Sequence, residues 1–185
     1  MEKLFERVLD DDEKIEKVIK PHKGKYYFSS LFAWGVSLFI FALMGVFAVL
    51  FPEEGMETEL VYLLIPIGLW VIGMLVALLF VSICYKNLYY AYTNKRVIIR
   101  SGIFGVDFKS LDMSMIGAVN VYVSVIDKIL RKDTGSIMFG STASPIGYGQ
   151  NAGAGYRFNH IKMPYETCKE VKSFIDNYKK KIQSK

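Results

Sequence analysis

The chain has 185 residues, of which 52% are hydrophobic, and it carries a formal net charge of +5. Its basic residues are dispersed and match no nucleic-acid-binding module, so the charge does not indicate a nucleic-acid-binding protein. Its only cysteines, Cys84 and Cys168, fall in stretches predicted to lie in the membrane or the cytoplasm, where disulfides are rare.

Two long apolar runs follow a polar lead-in. Residues 31–51 and 60–84 contain no charged side chain, and as helices each spans roughly 30 Å or more, enough to cross a bilayer core. A buried helix of a soluble protein is the alternative, but such helices rarely stay apolar on every side for this length. We therefore predict a two-helix transmembrane hairpin over residues 29–85.

The charges around the runs predict their orientation. The connector at residues 52–59 holds four Glu and no Lys or Arg, whereas lysines precede the first run and Lys86, Lys95 and Arg96 follow the second. The positive-inside rule then puts both termini in the cytoplasm and the acidic loop outside, as in a multi-pass plasma-membrane protein. The first run starts too late and is too long for a cleavable signal peptide.

The lead-in, residues 1–28, is predicted to be a cytoplasmic juxtamembrane segment. Asp10 to Asp12 are suited to cap a short helix whose apolar side carries Ile15, Val18 and Ile19 and which ends at Pro21. Residues 4–9 show similar helical spacing. Pro66, six residues into the second run, predicts a kink, with a transport hinge as the sharper alternative.

Beyond residue 86 the pattern changes to alternating apolar and polar residues with turn signals. This predicts six strands, at residues 88–93, 96–100, 106–111, 119–124, 136–141 and 156–161, with one or two helical turns at 125–130. A helix should begin at Pro164 and carry one apolar stripe: Cys168, Val171, Phe174, Ile175, Tyr178 and Ile182. The Gly-rich stretch 142–155 is interpreted as a loop. Residues 86–185 are thus predicted to form a mainly-β domain capped by a helix.

The stretch from Tyr92 to Phe104 resembles the opening hairpin of the bacterial pleckstrin-homology-like (PH-like) domain, and residues 114–116, 119–121 and 135–137 also fit that family. The lead-in with Pro21 resembles the segment ahead of the family's first membrane helix. The resemblance implies two membrane helices followed by a seven-stranded antiparallel sandwich or barrel with a C-terminal helix. Since six strands are counted directly, the seventh is expected within 142–155.

Five basic residues are candidates for membrane-surface or ligand contacts: Arg96, Arg100, Lys128, Arg131 and Lys132. Arg96 and Arg100 share one strand face with Ile98 between them, which suggests a solvated strand edge or, alternatively, a phosphate pocket. Lys128, Arg131 and Lys132 share a helical face and would touch lipid headgroups or only water. The turn at 93–96 lacks the basic loop of lipid-reading relatives, so nonspecific attraction to anionic headgroups is expected: residues 85–185 carry a net charge of +9, with sixteen basic and seven acidic side chains.

No catalytic, cofactor-binding or metal-binding motif is visible, and the two histidines, His22 and His160, have no metal-ligand spacing. Together with the resemblance, this predicts a non-enzymatic, membrane-anchored interaction module that binds protein partners or its own copies, and not nucleic acid. The alternative is a small subunit of a membrane transport or export complex. Because only Ser37, Tyr62 and Ser82 interrupt the apolar runs, a plain anchor is favoured.

Overall fold

The computed structural model describes residues 2–50, 60–129, 133–141 and 155–184. The chain divides into two compact units, which are described separately: Met1–Lys25 with Asn87–Lys185, here the β unit, and Tyr26–Lys86, here the helical unit. The helices are α1 (Lys23–Leu50), α2 (Leu60–Asn87), α3 (Val125–Ile129) and α4 (Pro164–Gln183).

The β unit contains two antiparallel sheets. The first has four strands in the order β1 (Ile15–Ile19), β2 (Tyr89–Thr93), β3 (Arg96–Ser101) and β4 (Asp107–Asp112). The second has three, in the order β5 (Ile116–Tyr122), β6 (Thr134–Ser141) and β7 (Tyr156–Lys162). The six strands predicted after residue 86 and the short helix near 125 are confirmed.

The predicted helix in the lead-in is wrong. Residues 15–19 are strand β1, which pairs with β2 through Ile15 opposite Thr93 and Ile19 opposite Tyr90, with a bulge after Ile15. Apolar residues at 15, 18 and 19 fit a helix locally, but the edge of β2 offers a backbone partner and overrides the local spacing. A described seventh strand therefore precedes both apolar helices. Residues 142–154, where a seventh strand was expected, lie outside the described residues.

The main core lies between the sheets and under α4. Tyr90 stacks on Phe158 with ring centroids 4.6 Å apart, and its hydroxyl accepts a hydrogen bond from the Asn159 N–H at 3.0 Å. From α4, Val171 and Ile175 are buried in the same core. The predicted stripe of α4 is confirmed for five of its six residues, whereas Ile182 is half exposed.

The outer face of the first sheet is also covered. A second cluster unites Phe5, Ala91 and Ile98, all fully buried, with Leu4, Leu9 and Phe108 packed around them. This explains why Val97, Ile98 and Ile99 are buried consecutively, since each face of β3 meets apolar side chains.

The interpretation of Arg96 and Arg100 as part of a solvated strand edge is wrong, because β3 lies between β2 and β4 and Phe5 covers the face they share.

The helical unit is an antiparallel pair. The Trp70 Nε1–H donates to Ser37 Oγ at 3.0 Å, and the Tyr27 hydroxyl donates to Ser82 Oγ at 3.0 Å, so the paired positions run in opposite directions along the two helices. A Cβ on Gly73 would lie 3.0 Å from the Trp34 ring, so the small residue permits this close approach. The predicted external loop, 52–59, and the side chain of Pro66 lie outside the described residues.

Within the described residues, two segments are long and apolar enough to cross a membrane, by length and composition: Lys23–Gly45 and Ile67–Asn87. Neither segment is buried by the rest of the chain. The core helix of a soluble protein would be mostly buried, so these segments differ from that alternative.

Candidate functional site

The predicted contact residue Arg96 is occupied inside the β unit. Its Nη2 lies 2.6 Å from Glu13 Oε2 and also donates to the Val8 carbonyl at 2.8 Å. Thr93 Oγ1 donates to Glu13 Oε1 at 2.6 Å, and the Glu13 side chain is fully buried. Arg96 therefore fastens the lead-in to the turn between β2 and β3.

The electrostatics of Glu13 agree with this structural role. Burial raises the pKa of its carboxyl, but the hydrogen bonds from Arg96 and Thr93 outweigh burial, so the pKa lies below its ordinary value. Glu13 is thus an anion at neutral pH, and Arg96 is its counter-ion rather than a solvent-facing cation.

A second buried ion pair joins Lys25 to Asp127. Lys25 Nζ lies 2.7 Å from Asp127 Oδ1, and the two side chains are only 7% and 4% exposed. Asp127 also accepts hydrogen bonds from the hydroxyls of Ser124 at 2.6 Å and Thr134 at 2.7 Å. These bonds outweigh the effect of burial and lower the pKa of Asp127. Lys25 is in the first turn of α1, so this pair fixes the residue at which the chain leaves the β unit.

The two histidines, far apart in sequence, meet beside this pair. The His22 N–H donates to the His160 carbonyl at 2.6 Å, and the Lys25 N–H donates to His22 Nδ1 at 3.1 Å. The pKa of His160 lies below its ordinary value, mainly because the side chain is buried and also because of the nearby positive charge of Lys25. In the described part of the chain, no three His, Cys, Asp or Glu side chains are grouped so that they could hold a metal ion.

Arg100 lies at the opposite end of β3 from Arg96. Its Nη1 donates to the Asn87 carbonyl at 3.4 Å, and its guanidinium carbon lies 5.6 Å from the Tyr89 ring centroid. Lys20 Nζ lies over the same ring at 3.9 Å. Asn87 also donates through Nδ2 to the Gly102 carbonyl at 3.1 Å. This end of the first sheet therefore combines two cations with the residue at which the chain enters the β unit from α2.

The structure does not bring the three described members of the predicted contact set, Arg96, Arg100 and Lys128, into one pocket. Arg96 is opposite Asp112 and Arg100 is opposite Phe108, four residues apart along β3. Lys128 is exposed on α3, as is Val125, three residues before it. Arg131 and Lys132 lie outside the described residues.

Sequence reasoning missed an open groove between α4 and the turn joining β2 to β3. It has a volume of about 480 Å³ and is lined by apolar, amide and charged side chains: Glu16, Asn94, Lys95, Met113, Phe174, Asn177, Tyr178, Lys181 and Ile182. Lys95 is held by Asp12 at 2.6 Å. By spacing, Ile182 continues the apolar stripe of α4, so the sequence does not indicate that it lines a groove, and only the tertiary fold reveals the opposing wall.

A sequence model of the bacterial PH domain matches residues 36–182. This range covers well over half of the chain and runs from within α1 into α4, while β1 precedes it. No match was found among curated proteins or among solved structures. The two antiparallel sheets and the closing helix agree with the match to the bacterial PH domain. Proteins with PH domains are generally interaction modules without enzymatic activity. The chain belongs to the bacterial PH domain family.

Proposed function

We propose that this protein is a membrane-anchored, non-enzymatic interaction module whose β unit lies at the inner face of a prokaryotic plasma membrane. The observation that carries the proposal is the position of the helical unit, which is inserted between β1 and β2 of a PH-like fold. The anchor is therefore built into the domain and is not a tail joined by a linker.

The pairing of β1 with β2 supports a two-span anchor. Strands that share hydrogen bonds must lie on the same side of a membrane, so the chain between them crosses an even number of times. Two apolar helices in that interval fit two crossings. The lysines of the lead-in and the basic residues after α2 support a cytoplasmic side for both ends.

The polar side chains of the helical unit support a plain anchor over a transport pathway. Ser37 and Ser82 donate to carbonyls of their own helices, at 2.8 and 2.7 Å, and accept from Trp70 and Tyr27. A pathway needs polar groups directed at its contents. These two hydroxyls are instead used in packing the pair.

The groove beside α4 supports a protein ligand, either another protein or a second copy of the chain. Its cationic Lys181 and its apolar Phe174 and Ile182 suit a segment that carries both acidic and apolar side chains, whereas Lys95 is already paired with Asp12. Lys128 and Arg100, with Arg131 and Lys132, would add attraction to anionic headgroups without selecting one of them. Arg96 has no part in this surface because Glu13 holds it.

The anchor is tested by cysteine labelling on intact cells. Single cysteines replace Glu54 and Ser184 in a chain whose Cys84 and Cys168 are changed to Ala. A membrane-impermeant maleimide should label position 54 at once and position 184 only after permeabilisation. Labelling of 184 but not 54 in intact cells would contradict the proposed orientation, and labelling of both would contradict the two-span anchor.

The interaction role is tested by photo-crosslinking from the groove in native membranes. A photoreactive residue replaces Asn177, which lines the groove, and in a matched control it replaces Lys172, which is exposed on another side of α4. Crosslinks to a protein from position 177 and not from 172 are expected. Equal yields from both positions would remove the groove from the proposal.

A further inference from the structure

The turn between β3 and β4 presents apolar side chains on the surface of the β unit. Phe104 is 93% exposed, the highest fraction among the large apolar residues whose exposure the structure describes, and Ile103 and Val106 are 43% and 41% exposed. Burying an exposed phenylalanine side chain is worth about 1.5–3 kcal/mol, so transfer of this turn from water to an apolar medium would be favourable.

The geometry of the turn holds these side chains outward. Gly102 has a φ of +141°, and a Cβ there would lie 2.2 Å from the Gly105 carbonyl oxygen, so the turn tolerates only glycine at this position. Ser101 pairs with Asp107 directly below it. Phe104 is thus at the tip of a tight, hydrogen-bonded hairpin.

The base of this turn is bonded to the residue that ends α2. Asn87 donates to the Gly102 carbonyl and accepts from Arg100 on the strand that leads into the turn. Asn87 follows Cys84, the last residue of the uncharged run, by three positions, which is at most about 11 Å of chain. If α2 spans the bilayer, the base of the turn lies close to the bilayer surface.

We propose that Ile103 and Phe104 insert into the interfacial layer of the bilayer, so that the β unit is held to the membrane by its own tip as well as by the covalent anchor. The inference rests on the proposed membrane-spanning role of α2. Arg100 and Lys20, which approach the ring of Tyr89 at the same end of the sheet, would lie at headgroup level, where anionic lipids attract them. Asp107, exposed beside the turn, would stay in the aqueous headgroup region.

The far end of β4 supplies a control position. Met115 is an apolar residue with 59% exposure that follows the other end of β4, where the Met113 N–H donates to the Lys95 carbonyl. The six residues of β4 separate the two ends by about 20 Å. The residue at the tip and the one at this far end are both apolar and exposed, and insertion of the tip would place them at different depths.

The experiment places a nitroxide label singly at Phe104→Cys, Met115→Cys and Leu79→Cys, in the full chain with Cys84 and Cys168 changed to Ala. The protein is reconstituted in vesicles of phosphatidylcholine and phosphatidylglycerol, and power saturation compares collision with oxygen, which concentrates in lipid, and with a nickel chelate, which stays in water. Leu79, 66% exposed on α2, reports the anchor itself.

Oxygen should dominate at positions 79 and 104, and the nickel chelate at 115. A lipid-like result at 79 with a water-like result at 104 would overturn the insertion of the tip and leave the anchor standing. Water-like results at both would overturn the anchor and the tip together. Broadening of the spectrum at 104 that disappears on dilution with unlabelled protein would show that a second copy, and not lipid, covers the tip.

Discussion

The β unit and the helical unit place the same types of side chain in opposite positions. In the β unit, Phe139 and Phe158 are fully buried. In the helical unit, Phe39 and Phe47 are about two-thirds exposed, whereas the Ser37 hydroxyl is bonded to the partner helix. Water around the β unit drives apolar residues inward. The helical unit has the arrangement expected for apolar surroundings, in which polar groups must find partners inside the helix pair.

The largest effect expected from this contrast is a pair of Phe→Ala changes. Phe158→Ala should lower the free energy of unfolding of the β unit by about 3–5 kcal/mol, because the side chain is fully buried against Tyr90 and Phe139. Phe39→Ala should change it by less than about 0.5 kcal/mol. Pulse proteolysis in urea, on the full chain in detergent micelles, measures both.

A loss for Phe39→Ala comparable to that for Phe158→Ala would contradict the contrast. It would mean that Phe39 is packed against protein, as in a soluble core or an oligomer, and not against detergent or lipid. A milder change, Phe158→Leu, serves as a second variant if the alanine form does not fold.

The next largest effect is expected for the Lys25–Asp127 ion pair, which is buried in the β unit. It tests how a buried polar contact contributes to the stability of that unit. Asp127→Ala should cost about 3 kcal/mol, because it leaves the charge of Lys25 buried without its partner. Combining Lys25→Met with Asp127→Leu should recover much of this loss. The control is Lys17→Met, which breaks an ion pair with Glu170 whose side chains are nearly half exposed, and should cost less than about 1 kcal/mol.

Three buried or partly buried ionisable groups, Asp127, Glu13 and His160, make the stability of the β unit depend on pH. The pKa of Asp127 and of Glu13 is lowered in the folded chain, so their contribution is present above the ordinary values of 3.8 and 4.5 and is lost as the pH falls through the lowered values. The pKa of His160 is lowered from 6.5, mainly by burial, so the unfolded chain takes up this proton first and stability begins to fall below pH 6.5.

The measurement is urea unfolding of the full chain in the same micelles between pH 7 and pH 2, followed by circular dichroism. His160→Gln should flatten the upper part of the profile, and the double change at positions 25 and 127 should flatten the lower part. A profile that is level from pH 7 to pH 2 in the unaltered chain would contradict the burial of these groups, as would an Asp127→Ala loss no greater than that of the Lys17 control.

Much of the fold could be predicted because its signals are local. The apolar runs, the alternation in β2 to β7 and the stripe of α4 each occupy a short window of sequence. Strand β1 could not be predicted in this way. Its apolar residues at 15, 18 and 19 fit a helix, and only hydrogen bonds to β2, some seventy residues later, make it a strand.

The same reason explains which features of the candidate site were missed. Glu13 and Arg96 are 83 residues apart, and Lys25 and Ser124 are 99 apart, so no spacing rule joins them. Phe5 has the spacing of a surface helix, yet it is a core residue because it covers Ile98. Arg96 resembled a solvent-exposed residue in the sequence because its partner, Glu13, precedes both apolar helices while Arg96 follows them.

The insertion of the anchor between β1 and β2 makes the order of synthesis part of folding. Strand β1 leaves the ribosome first, and at about 5–20 residues per second it waits roughly 4 to 14 s for β2. For an anchor that crosses the bilayer twice, a chain in which only one helix has inserted keeps the two strands on opposite sides. The edge of β2 then has no partner, and Ile98 lacks its cover by Phe5. If the anchor crosses the bilayer twice, closure of the first sheet would therefore distinguish chains in which both helices have inserted from chains in which only one has.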